Sequence, residues 1–210
     1  MAGTMSQADL IADLKGILMD AAKKFTAAGD ADFSRHLAIA ALDLGRIRPR
    51  TMVGQIDLAA DVGVYDAPPD LVAVKFPLWG TAEKRERRPW EGIWPGALPR
   101  LRVIEQDGAK ALSIEPPPNL GMITDLGSTY RFYYYAGHVI GASSEETSVQ
   151  ASDRHLLLIR AAAQALLELA NNGVTKPVQL GSAGVGAMPK NGTPGALAQA
   201  LLDHFEAMAA

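Results

Sequence analysis

Cysteine is missing altogether from this sequence of 210 residues. That absence removes a disulfide scaffold, a thiolate zinc site and a cysteine nucleophile together. An excess of one charge sign is missing too: 20 Lys and Arg against 23 Asp and Glu leave a formal net charge of -3. Binding to nucleic acid or to an anionic membrane would therefore need a local patch rather than a global pull. Long apolar runs are absent as well. The most apolar stretch, Leu156 to Ala170, is interrupted by Arg160, Gln164 and Glu168, and is too short and too broken to span a bilayer. The first residues, Met1 to Ser6, have neither a basic start nor an apolar stretch, so no secretory signal is expected and the chain reads as soluble and cytoplasmic. Aromatics make up only 6%, which gives weight to the places where they gather.

What is present suits a packed fold. Hydrophobic residues reach 48% and charged ones 20%, enough for one substantial core or two small ones, so one domain with subdomains is expected. Leu10, Ile11, Leu14, Ile17, Leu18, Ala21, Ala22 and Phe25 recur at helical spacing behind Ser6 and Asp9, a weak capping box. After Gly29-Asp30 the pattern returns at Phe33, Leu37, Ala40, Ala41 and Leu44, and Gly45 with Pro49 supplies the stop. From Met52 the period falls to about 2. Strands are expected near 52, over 62–65, 71–76, 101–104 and 111–114, with Asp107-Gly108 as a hairpin turn, and from Thr129 to about Ile140. With no helix expected among them, they predict an antiparallel sandwich or small barrel.

A polar connection from Gly141 to Ala151 leads to Ser152, expected to cap a long helix ending at Asn171-Asn172-Gly173. Arg160, Gln164 and Glu168 form one narrow polar stripe on it, and leucines and alanines cover the rest. Such a helix must be buried on more than one side. It is either the centre of the bundle or pressed against a neighbouring subunit, which makes Leu157, Leu158 and Leu166 candidate interface residues. A glycine-rich loop follows, with Gly181, Gly184, Gly186, Gly192 and Gly195; Thr193-Pro194 then opens a last helix carrying Leu197, Leu201, Leu202, Phe205 and Met208. The fold class is thus α+β: a helical bundle from residues 1–50 and 152–210, and an inserted antiparallel β subdomain over 51–151 with a projecting loop at 79–99.

Chemistry is hard to find. His36, His138, His155 and His204 stand apart, with no metal-binding spacing. The surroundings of Ser143 and Ser182 lack the nucleophile-elbow pattern, and the Glu145-Glu146 pair sits in a polar stretch with nothing to raise either pKa. Lys190 is followed by Asn191, so the glycine loop does not make a phosphate cradle of Walker type. No enzyme, cofactor or metal is expected.

Two basic clusters remain, Arg46-x-Arg48-Pro49-Arg50 and Lys84-Arg85-Glu86-Arg87-Arg88-Pro89-Trp90. In the second, Glu83, Glu86 and Glu91 nearly cancel the cations, so counterion-release binding to DNA would be weak. With Trp79, Trp90 and Trp94 beside Arg85, Arg87 and Arg88, the segment suits a protein interface more than contact with DNA, with a solvated loop as the alternative. Lys84, Arg46, Arg48 and Arg50 are the candidates for contact with DNA. The run from Tyr130 to Tyr135 puts Tyr130, Phe132 and Tyr134 on one face and Tyr133 and Tyr135 on the other, as in a central strand of a sandwich or a strand with one face at an interface.

The order of these pieces is familiar. Asp32-Phe33-x-Arg35-His36-Leu37 through Asp43-Leu44-x-Arg46-x-Arg48-Pro49-Arg50, Tyr65-Asp66-Ala67-Pro68-Pro69-Asp70-Leu71, Leu112-Ser113-Ile114-Glu115-Pro116-Pro117, Tyr130-Arg131-Phe132-Tyr133-Tyr134-Tyr135-Ala136 and the apolar helix from Leu156 together resemble the head-to-tail adaptor (connector) proteins of tailed bacteriophages. The similarity runs from about Ala8 to Asn172 and stops before Val174. It implies a structural virion protein at the head–tail junction, assembled in the host cytoplasm. Its partners would be other copies in a ring, usually twelve-fold, the portal protein, tail or neck proteins, and double-stranded DNA passing without sequence specificity, with no membrane. The alternative from another class is a bacterial α+β ligand-binding or regulatory domain that uses the aromatic strand as a pocket.

Overall fold

A computed structural model describes residues 4–91, 94–173, 178 and 192–209. The chain is mixed α+β and divides into two units: Met1–Pro49 with His138–Ala210, and Arg50–Gly137.

The first unit is helical. Helix α1 spans Gln7–Leu18; the Ser6 hydroxyl accepts from the Asp9 N–H at 3.3 Å, while the Asp9 carboxylate reaches back to the Thr4 N–H at 2.8 Å. Two short 3-10 turns, Met19–Lys24 and Ala28–Asp30, lead into α2, Ala31–Ile47. Helix α5, Arg154–Asn171, follows a 3-10 turn at Ala151–Asp153. Its N-cap is Asp153 rather than Ser152 and makes no capping hydrogen bond, because the Asp153 carboxylate is held by Arg48 at 2.8 Å. Helix α6, Pro194–Ala209, opens on the proline, as the Thr193-Pro194 pair predicts. Leu10, Leu14 and Leu18 of α1, Phe33, Leu37, Ala40 and Leu44 of α2, and Leu197, Leu201 and Phe205 of α6 share one core with α5. The apolar circumference of α5 is thereby consumed inside its own unit.

The connection 138–151, expected with the β part, belongs to this helical unit. Gln7 donates its backbone N–H to the Gly141 carbonyl at 3.2 Å, Met5 N–H reaches the Ser144 hydroxyl at 3.3 Å, and Val149 is buried in the helical core.

The second unit holds two antiparallel three-stranded sheets. Strands β1 (Arg50–Asp57), β6 (Thr129–Ala136) and β3 (Leu71–Pro77) form one, in the order β1-β6-β3. Strands β2 (Val64–Asp66), β5 (Ala109–Glu115) and β4 (Arg100–Gln106) form the other, in the order β2-β5-β4. The sheets share a core of Ile56, Leu71, Tyr130, Phe132, Leu112 and Ile114, so of the two architectures expected, sandwich or barrel, the barrel is not closed. The β4–β5 turn is the Asp107-Gly108 pair, with φ of 53° and 77° at the two positions, as a two-residue hairpin requires. Two short helices interrupt the strands where none was expected: α3, Thr81–Glu86, and α4, Leu120–Leu126, capped by the Asn119 side chain on the Met122 N–H at 2.9 Å. Both are under two turns, too short for a helical period to stand out in the sequence.

Candidate assembly surfaces

The projecting loop is less extended than its prolines suggest. Leu78 N–H donates to the Arg131 carbonyl at 2.8 Å, which carries the sheet one residue past β3. This turns Trp79 inward. It is 5% exposed, its indole N–H donates to the Gly127 carbonyl at 2.9 Å, and its ring lies 5.3 Å from that of Tyr130. Trp79 is therefore a core anchor and not an interface residue, a correction that follows from the sheet hydrogen bond preceding it.

Helix α3 carries Lys84 and Arg85 of the basic cluster, and Arg87 and Arg88 follow its end. Lys84 stands over the Trp94 ring at 5.4 Å, and Arg88 over the Trp90 ring at 6.0 Å. Trp90 itself is 80% exposed, the most exposed of the large apolar side chains described. Arg85 and Arg88 are exposed and Arg87 is half-buried. The Glu91 carboxylate accepts from the Arg88 N–H at 3.0 Å and closes the tip. The loop thus presents a guanidinium stacked on an unsheltered indole, a pairing that interfaces favour.

The α5 candidates go the other way. Leu157 and Leu166 are fully buried and Leu158 is 6% exposed, all within the helical core. They offer nothing to a neighbouring subunit, since α1, α2 and α6 already surround them. The polar stripe of α5 is likewise satisfied within the unit. Arg160 pairs with Asp43 at 2.6 Å and donates to the Gln164 side-chain oxygen at 3.2 Å, and Glu168 receives Arg35 at 2.9 Å. Arg154, at the start of the helix, pairs with Asp13 at 2.7 Å.

His36 of α2 is fully buried beside Glu168. Its Nε2 is 3.6 Å from the carboxylate, and neither ring nitrogen has a hydrogen-bond partner among the described residues. Burial pushes its pKa below the ordinary 6.5; Glu168 and Asp32 oppose that shift and Arg35 adds to it. Sequence spacing does not single out His36, because the carboxylate beside it, Glu168, is far along the chain.

Of the candidate DNA contacts, two are committed elsewhere. Arg48 pairs with Asp153 and donates to the Met208 carbonyl at 3.0 Å, and Arg50 donates to the Gly137 carbonyl at 3.4 Å. Arg46 pairs with Asp43 at 2.9 Å while its side chain remains 80% exposed. Arg46 and Lys84 are exposed, and Arg48 keeps 42% of its side chain accessible despite its partners.

The aromatic strand has one closed and one open face. Tyr130, Phe132 and Tyr134 are buried, and burial raises the Tyr130 phenol to about 12. Tyr134 donates to Asp70 at 2.9 Å. These rings belong to the core between the sheets rather than to the lining of a cleft described there. The nearest open cleft described, roughly 480 Å³, is lined by Trp79, Glu83, Leu126, Ser128, Thr129 and Arg131 instead. Tyr133, on the other face, is 37% exposed.

Among the described residues no group of three or more His, Asp or Glu is placed to hold a metal ion, and no helix is long and apolar enough to cross a membrane. Gly181, Gly184, Gly186, Lys190 and Asn191 lie outside the described residues. No family model matches the chain, and no curated protein matches it.

Proposed function

We propose that this chain is a structural adaptor of a tailed bacteriophage, assembling as a ring between portal and tail, sealing the portal vertex and letting DNA pass. The observation that carries the reading is the element order. A β unit with its own core is inserted between α2 and the buried helix α5, and the segments that resemble adaptor proteins fall in this order along it. The stacked Arg88–Trp90 tip supports a protein-binding role for the β unit, with Arg85 and Arg87 beside it. The scattered, mostly paired arginines suit a surface that lets DNA slide past without gripping it. In this reading the helical unit is the rigid frame, and the β unit carries the contacts to portal or tail proteins.

The experiment is assembly with a portal. Negative-stain microscopy and native mass spectrometry of the purified chain mixed with portal rings of its own phage are expected to show a ring of added subunits. A chain that stays unbound to those rings, and is missing from assembled particles, contradicts the proposal.

A further inference from the structure

Strand β1 lies at an edge of the first sheet. All eight residues of β1, from Arg50 to Asp57, pair with β6 in unbroken register. Among the described residues, no backbone hydrogen bond joins the other side of the strand. The opposite edge, β3, carries two register shifts, an irregularity that blunts an edge against pairing. Strand β1 has no such shift, and no proline or lysine within it. A regular, unblunted edge is a template for another strand.

An apolar row crosses the solvent face beside this edge. Val53 is in register with Tyr133, and Tyr133 with Phe76, making a row across three strands. The three are 59%, 37% and 51% exposed, in that order. Charge on the same face is polarised along β1. Lys75 lies over the Tyr135 ring at 5.1 Å and donates to the Thr51 hydroxyl at 3.2 Å, which sets a cation near the start of the strand. The exposed carboxylate of Asp57 ends it, with Arg131 one strand back, in register with Gln55.

We propose that β1 pairs antiparallel with β1 of a second copy of this chain, joining two three-stranded sheets into one continuous sheet. Side-chain parity restricts the register, because Met52, Gly54 and Ile56 must stay on the buried face in both copies. Placing Gly54 on the two-fold axis sets Thr51 opposite Asp57 of the second copy. Lys75 of each copy then meets Asp57 of the other, and the two Val53 side chains become diagonal neighbours. Parallel pairing would set like ends together. The contact is isologous, unlike the head-to-tail contact of a ring. It stands on the edge alone and describes the chain before it meets a portal.

Sedimentation velocity on the purified full chain, without portal, over a concentration series tests it. The expected result is a monomer–dimer equilibrium. Asp57→Lys opposes like charges at both ends of the seam and is expected to weaken the dimer by about tenfold or more. Adding Lys75→Asp to Asp57→Lys should restore it, because the two-fold reunites the exchanged charges. Both side chains are exposed, so unchanged circular dichroism confirms that the variants fold. In the wild type, amide exchange in β1 should slow as concentration rises. A strict monomer at every concentration overturns the proposal, and so does a dimer or larger ring indifferent to Asp57→Lys, or a double variant that does not recover. None of these outcomes bears on whether portal rings capture the chain, so the two proposals fail separately.

Discussion

The interface candidates of the helical unit and of the β unit end in opposite environments. In the helical unit, α5 is apolar over most of its surface and every leucine proposed for an interface is buried by α1, α2 and α6; even its polar stripe finds Asp43 and Arg35 on α2. In the β unit, the candidate Trp90 is 80% exposed, and Val53 and Phe76 stand more than half exposed, as Leu42 and Val139 do in the helical unit. An apolar group left in water beside a strand edge or a stacked arginine is the kind of surface that a partner covers. The difference teaches that apolar content along a sequence does not locate an interface. Exposure has to be read from the fold.

The comparison can be broken most strongly in the helical core. Leu157→Ala or Leu166→Ala removes a fully buried side chain from the centre of the bundle and is expected to cost about 2–5 kcal/mol in chemical denaturation. A cost near zero would mean that α5 is not enclosed. In the β unit the tightest point is Gly54, where an added Cβ would lie 2.3 Å from the Phe132 ring. Gly54→Val should cost about 1–3 kcal/mol by overpacking, read from the unfolding midpoint.

His36 sharpens the helical side with pH. Its folded pKa lies below 6.5, so below that value the unfolded state binds more protons and stability falls. The loss begins as pH drops through about 6.5 and continues down to the folded pKa, with a slope of at most about 1.4 kcal/mol per pH unit from this group. Denaturation midpoints at pH 7.5 and 5.5 check it, and His36→Gln should reduce the difference. The smallest effect on stability belongs to the exposed tip. Trp90→Ala should shift stability by no more than about 0.5 kcal/mol, while weakening capture of the chain by portal rings; unchanged capture would detach the tip from assembly.

Much of this was legible in the residues. The helical periods of α1, α2 and α6, the Asp-Gly turn and the alternation in Tyr130 to Tyr135 all carry local signals, and β6 is central in its sheet, one of the two places the alternation allows. The three tryptophans were not separable from sequence. Trp79 is drawn inward by a hydrogen bond from Leu78 to Arg131, a partner more than fifty positions away. The apolar circumference of α5 left two answers open, and long-range packing chose between them. Arg48 and Arg50 read as free cations until their acceptors at Asp153, Met208 and Gly137 came into place. His36 draws its environment from Glu168 in the same manner.

The most direct test of the contrast is hydrogen–deuterium exchange on the full chain, alone and captured on portal rings. The account predicts that amides of α5 exchange equally slowly in both states and that residues 81–91 of the β unit gain protection on capture. Protection gained in α5, with residues 81–91 unchanged, would contradict it.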